Sequence, residues 1–307
     1  MARQAVQLCC AHVDRQGAAR TQLSEKFTHD NNRMMKSAVL ALTLVLPAAM
    51  AHAALSTNTA KPKIAQPQIV IRHGASVEQF RAYALALTSG KYLYTEVHKR
   101  HLIQHKWTGG VVDYYAPDGA RIGHKVLRFS GRDDVPLYRL ELAGTGAARG
   151  VNQVTDKNVQ LFRQAPGEAS PQHATVAHAE NMVADITGVE RFIQQHFDEL
   201  MKAPQVVVMA SASDLEVDRV KITRLKDGKV QGKPAVRFKL ESASLMHLFF
   251  GQPQFFSFDP ATHRLLEYRG LSELKDPQTG ELYKVRVYYG GKAPPNAPDL
   301  TDLGETH

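Results

Sequence analysis

From Tyr92 onward, short runs rich in tyrosine, valine and threonine alternate with compact turn signals. Runs of this kind, with apolar residues at every second position, predict half-buried strands. Strands are expected at Tyr92–His101, Thr108–Tyr115 and Arg121–Phe129, then at Gln205–Met209, Leu215–Leu225 and Ala235–Leu240. Phe255–Phe258, Arg264–Leu271 and Leu282–Tyr289 complete the set. The turns between them have a mechanism. In Pro117-Asp118-Gly119 the proline presets the bend and the glycine accepts a positive φ. Lys226-Asp227-Gly228-Lys229 and Asp259-Pro260-Ala261-Thr262 read as turns of the same sort.

Two stretches carry the helical period instead. Ser76–Ser89 has Ser76 and Gln79 at capping-box spacing, with Val77, Phe80, Ala84 and Leu87 recurring on one face before Gly90. Thr187–Ala203 has a second such box, Thr187 with Glu190, and an apolar stripe of Val189, Phe192, Ile193, Phe197, Leu200 and Met201 that ends before Pro204. Both patterns predict helices that lay one face on a sheet. About ten strands and two or three helices define an α+β protein in which β dominates. Strands linked by short turns pair with their sequence neighbours, and a sheet of that length has to curl to bury its apolar face. The expected architecture is a curved antiparallel meander, half-barrel-like, with two or three helices packed on it.

Ahead of this domain lies a three-part export pattern. Met34-Met35-Lys36 is a basic start, Ser37–Leu46 is apolar apart from Thr43, and Ala51-His52-Ala53 is a small-x-small cleavage motif. The apolar run is too short for a transmembrane anchor and leads into Pro47, so a cleaved signal peptide over 34–53 is expected. Residues 1–33 then form an upstream extension, 54–66 a flexible leader, 67–289 a single β-rich domain and 290–307 a disordered tail. Cleavage would leave a soluble periplasmic protein of 254 residues with no transmembrane span. Both cysteines, Cys9 and Cys10, would be lost with the signal, leaving no disulfide or thiol chemistry. Of 38 Lys+Arg and 30 Asp+Glu, residues 1–53 hold 6 and 3. The remainder has 32 against 27, a spread-out net +5 with no nucleic-acid-binding arm.

Candidate chemistry is sparse. Ile69-Val70-Ile71-Arg72-His73-Gly74 resembles the strand-then-Arg-His-Gly entry of the histidine phosphatase superfamily. The resemblance implies that His73 would be phosphorylated, Arg72 would hold phosphoryl oxygens, and His178 would act as the second histidine. The Ser-Pro and Arg signature of that family is absent from the intervening region, and Ala179 stands where a glycine follows the second histidine. A phosphohydrolase is therefore the alternative reading. His98, His101 and His105 would share a helical face, but on a strand they diverge, and no acid lies among them, so no metal site is expected. Gly144–Gly150 is one residue off a dinucleotide pattern and lies between strands. No cofactor is expected.

The remaining signal is apolar: Leu245, Met246, Leu248, Phe249 and Phe250, followed by Phe255, Phe256 and Phe258. In a curved sheet such a cluster either fills the core or lines a concave ligand groove. Phe249, Phe250, Phe255 and Phe256 are the expected ligand-binding residues, in a cavity between the sheet and the 187–203 helix. Tyr94-Thr95-Glu96, Tyr115-Ala116-Pro117-Asp118-Gly119 and the run from Phe258 to Ser272 resemble a family of exported, periplasmic bacterial proteins of unknown function. The Asp259-Pro260-x-Thr262 ending, followed by an apolar strand, is also similar to lipoprotein-carrier-like half-barrels. The apolar cluster on a curved sheet, with no catalytic set beside it, leads to the expectation of a non-enzymatic protein that binds an apolar or amphipathic small molecule or an envelope protein, with a structural interaction module as a further alternative; the resemblances fit that reading.

Overall fold

The computed structural model describes residues 75–129, 134–243 and 252–300. All of them belong to one compact unit, residues 59–307. The extension, the signal segment and the leader lie outside the described residues.

Fifteen strands form one sheet. They are β1 (Ala75–Ala86), β2 (Tyr92–Ile103), β3 (Lys106–Tyr115), β4 (Arg121–Arg128), β5 (Leu137–Leu142), β6 (Ala148–Val154), β7 (Asn158–Gln164) and β8 (Gln172–Ala177). After these come β9 (Met182–Ala184), helices α1 (Asp185–Gln195) and α2 (Phe197–Lys202), and β10 (Gln205–Ser211). The chain continues through β11 (Glu216–Val230), β12 (Lys233–Ser242), β13 (Gln254–Phe258), β14 (Leu265–Lys275) and β15 (Leu282–Tyr289). The order across the sheet runs from β8 back to β1, then from β15 back to β9. Each half is thus a meander, and β1 pairs with both β2 and β15 to join them. Every neighbouring pair is antiparallel except β9 with β10, the one connection made through helices. That exception follows from chain geometry, because parallel neighbours need a crossover where antiparallel ones need only a turn.

The β-dominant, curved antiparallel sheet with two helices agrees with expectation at that level. Its elements differ in four places. Residues 76–89 are expected as a helix, but 76–86 belong to strand β1 and 87–89 to the turn after it. Phe80, Ala82 and Ala84 face inward opposite His98, Glu96 and Tyr94 of β2, and two flanking strands override a weak helical stripe. Lys226–Lys229 is no hairpin turn. The ladder slips between Leu225 and Gly228, and the chain reverses at Gln231-Gly232, both at positive φ (49° and 82°), as a two-residue hairpin turn requires. The 187–203 helix starts two residues early, at Asp185, and breaks at His196. Strands β5 to β9 complete the sheet where none was expected.

One side of the sheet and the helices enclose the core. Phe192, Ile193, Phe197 and Leu200 of the helices pack with Phe238, Phe256, Phe258, Tyr268 and Val287. The rings of Phe197, Phe238 and Phe258 meet edge to face at 5.5–6.2 Å, each ring burial stabilising by about 1.5–3 kcal/mol. A second cluster holds Val159 and Leu161 of β7 with Met182 of β9 and Ala210 of β10. The sheet therefore curls until strands near its two ends share one apolar cluster. Beyond Gly290, where a tail is expected, Leu300 packs against Val97 and Tyr115 on the outer side.

Candidate functional site

A charged cluster lies inside this apolar shell. On β4 the inward phase runs Gly123, Lys125, Leu127, so the lysine stem enters the interior and the residue is 1% exposed. A buried ammonium is costly unless acids surround it, and the fold supplies two. Glu273, near the end of β14, accepts from Lys125 Nζ at 3.0 and 3.1 Å. Asp185, the first residue of α1, accepts from the same ammonium. Thr187 Oγ1 also accepts, at 3.2 Å. The expected capping threonine thus serves the lysine, and α1 has no side-chain cap.

Further donors converge on Glu273. Tyr114 donates its hydroxyl at 2.9 Å, and Arg149 of β6 donates to the Glu273 carbonyl at 2.6 Å. Neighbouring Ser272 shares a 2.6 Å hydrogen bond with Tyr94. Burial, followed by nearby carboxylates, holds the phenols of Tyr94, Tyr114 and Tyr268 well above the ordinary tyrosine range, so each keeps its proton to donate.

The two carboxyls are pushed apart. Burial and then the charge of Glu273 raise Asp185 to about 6, against the pull of Lys125. Burial opposes ionisation of Glu273 too. Lys125, Arg149 and a hydrogen bond from the Asp185 carboxyl outweigh it and lower Glu273 to about 2. Lys125 itself is raised, because the two acids outweigh its burial. The set behaves as one ammonium shared by an ionised glutamate and an aspartate that takes up the next proton. Asp185 also sits at φ +63°, a conformation that costs a non-glycine residue and persists only where the surroundings impose it.

Two spaces flank the cluster. A small chamber of ≈ 40 Å³ lies between it and the pairs Arg100–Glu190 (2.9 Å) and His98–Glu96 (2.8 Å), room for about three waters. Arg100 closes that side, its guanidinium 4.0 Å over Trp107 and 4.8 Å over Phe80. On the other side a cavity of ≈ 390 Å³ opens at the end of the sheet where β10 turns into β11 and β12 ends. Ile186, Met209, Val220, Leu240, Leu271 and Leu282 give it apolar walls. Asp185 and Glu273 form its floor, and Asp214, Glu216 and Asp218 stand at its rim. Among the described lining residues Arg149 is the one base.

Of the residues expected from sequence, the described ones do not line this cavity. Phe256 is fully buried, its ring 5.2 Å from that of Tyr268. Phe255 points to the opposite side, between Lys239 and Arg269. The cavity is lined instead by Gln254 of the same strand. Phe249 and Phe250 lie outside the described residues, as do Arg72 and His73. His178 is brought to Thr155, whose carbonyl accepts from its Nδ1 at 2.6 Å. His98 faces inward and His101 outward, and no group of three potential metal ligands occurs among the described residues. Lys125, Asp185, Glu273 and Arg149 were all missed. The readable signal was a lysine in the inward phase of an apolar strand.

What the fold and site define is a β-dominant protein with an acid-floored cavity at one end of a curved sheet. No protein-family model matches the chain, and no curated protein matches it. Among solved structures it is similar to the crystal structure of a beta-barrel-like protein of domain of unknown function DUF1849 from Brucella abortus. The TM-score is 0.41 at 8% identity, over 70% of this chain and 98% of that one.

Proposed function

We propose that this is an exported envelope protein that binds an amphipathic molecule, with the apolar part between Met209, Leu240 and Leu271 and a cationic end toward the acidic rim of Asp214, Glu216 and Asp218. The observation that carries the reading is the composition of the cavity: apolar walls, six acids among the described lining residues (Asp185, Asp214, Glu216, Asp218, Glu241 and Glu273), and one arginine. At ≈ 390 Å³ it falls at the small end of the range of about 300–1,000 Å³ typical of small-molecule sites. Charge selects the head group, since an anion brought to Asp214, Glu216 and Asp218 meets repulsion and an ammonium meets attraction. Export rests on the 34–53 segment and is part of the same proposal.

Calorimetry with decylamine and decanoate, matched in chain length and opposite in charge, tests it. Decylamine is expected to bind saturably at one site and decanoate to bind far more weakly. Glu216→Gln should weaken the amine up to about fivefold, the worth of one exposed charge pair. Leu240→Trp, which fills the cavity, should abolish binding. Equal binding of the two probes, or decylamine binding that survives Leu240→Trp, would refute the reading.

A further inference from the structure

The outer side of the same sheet carries the opposite charge. Phe238, Leu240, Phe256, Phe258, Tyr268, Val285 and Val287 are buried in the core. Strand alternation therefore turns Arg237 and Lys239, Phe255, Arg269, and Lys284 and Arg286 outward on β12, β13, β14 and β15. Register aligns them: Lys239 pairs with Phe255, Phe255 with Arg269, and Arg269 with Arg286. At roughly 4.8 Å per strand, this row spans about 14 Å with an aromatic ring between cations. The side chains of Lys239, Arg269 and Arg286 are 28%, 29% and 37% exposed.

The charges here do not cancel. Lys239 reaches Glu241 at 2.8 Å, while Arg269 and Arg286 share one buried acid, Glu267, at 2.6 and 3.6 Å. Five cations thus meet two carboxylates. Glu267 accepts from Arg269, while Arg286 lies 3.6 Å from the same acid and donates to the Tyr288 hydroxyl at 3.4 Å, so Arg269 loses little side-chain freedom when a partner arrives.

We infer that this face docks on an anionic lipid bilayer. The cations spread over four strands in two dimensions, which suits a sheet of headgroups better than a single linear polyanion. A phenylalanine ringed by long basic side chains is also suited to the boundary between headgroups and acyl chains. The inference stands on the outer face alone and does not depend on what the cavity holds.

Sedimentation of the full chain with vesicles tests it. The probes are vesicles of phosphatidylcholine containing 30% phosphatidylglycerol and vesicles of phosphatidylcholine alone. Stronger partition onto the anionic vesicles is expected, lost as salt shortens the screening length from about 10 Å at 0.1 M toward about 3 Å at 1 M. Each basic residue near such a surface contributes about fivefold to partition. The combined Arg237→Gln, Lys239→Gln and Lys284→Gln variant should therefore bind about a hundredfold more weakly. It leaves Glu267 its two arginines and so keeps the fold. The apolar 37–46 stretch is common to both chains, so the difference between them reports the face. Equal partition of native and variant chains, no preference for the anionic vesicles, or binding to dextran sulfate without binding to vesicles would overturn the inference. A second variant, Lys284→Gln alone at an exposed position, should bind about fivefold more weakly than the native chain, and it decides the matter if the triple variant folds poorly.

Discussion

Asp185 and Glu273 show how much one buried lysine organises. Two carboxyls in one apolar shell cannot both ionise cheaply, and Lys125 decides which one does. The consequence is a pH dependence of stability with two opposing limbs. Asp185 is raised from 3.8 to about 6 in the folded protein. It binds more proton folded than unfolded in that window, so its contribution is full below about 4 and is lost as pH rises through about 6. Glu273 is lowered from 4.5 to about 2. Its contribution is present above about 4.5 and is lost as pH falls toward about 2. The pair favours folding most near pH 4 to 4.5. Asp185→Asn should abolish the upper limb, so that urea-unfolding free energy no longer declines between pH 4.5 and 6.5 on this account, while the acid limb from Glu273 persists. An unchanged slope in the variant would show that another group carries the upper limb.

Helix α1 reaches this cluster only because it lies very close to the segment before β5. A Cβ on Gly188 would stand 2.3 Å from the carbonyl oxygen of Asp134. Gly188→Ala therefore sets two effects against each other. Helix propensity favours alanine by about 1 kcal/mol. Steric overlap with fixed backbone costs about 1–3 kcal/mol, and more if the helix cannot move. The clash should win, with a net loss of stability in chemical denaturation and a weaker Lys125–Asp185 contact. A stabilised variant would mean that the helix shifts freely. The same elements show where the sequence could and could not be read. Turns that carry their own chemistry were legible: Gly119 sits at φ +83°, and Asp259 accepts from the Ala261 and Thr262 amides. Strand β1 was not, because its helical spacing is local and its pairing with β15 joins residues some 200 positions apart. Strand β6 was hidden by glycines, and the charged cluster by distance, since Lys125, Asp185 and Glu273 meet only in the folded sheet.

At the scale of the whole sheet, the two meanders could behave as separate bodies, since each is built from its own sequence neighbours. Three features bind them. Strand β1 lies between β2 and β15 with its ladder shared on both sides. The cluster of Val159, Leu161, Met182 and Ala210 joins strands near the two ends. Lys125 of the first half bonds Glu273 of the second, with Asp185 of the intervening helix between them. Couplings of this kind predict one cooperative transition rather than two. The chain carries a single tryptophan, Trp107, which lies on β3 in the first half beneath Arg100. Its fluorescence reports that half, while far-ultraviolet circular dichroism reports both. The two unfolding curves should superimpose in urea, with one midpoint and one slope. A fluorescence midpoint displaced from the dichroism midpoint would mean that the strand β1 seam, the shared apolar cluster and the buried lysine together are too weak to hold the halves as one unit.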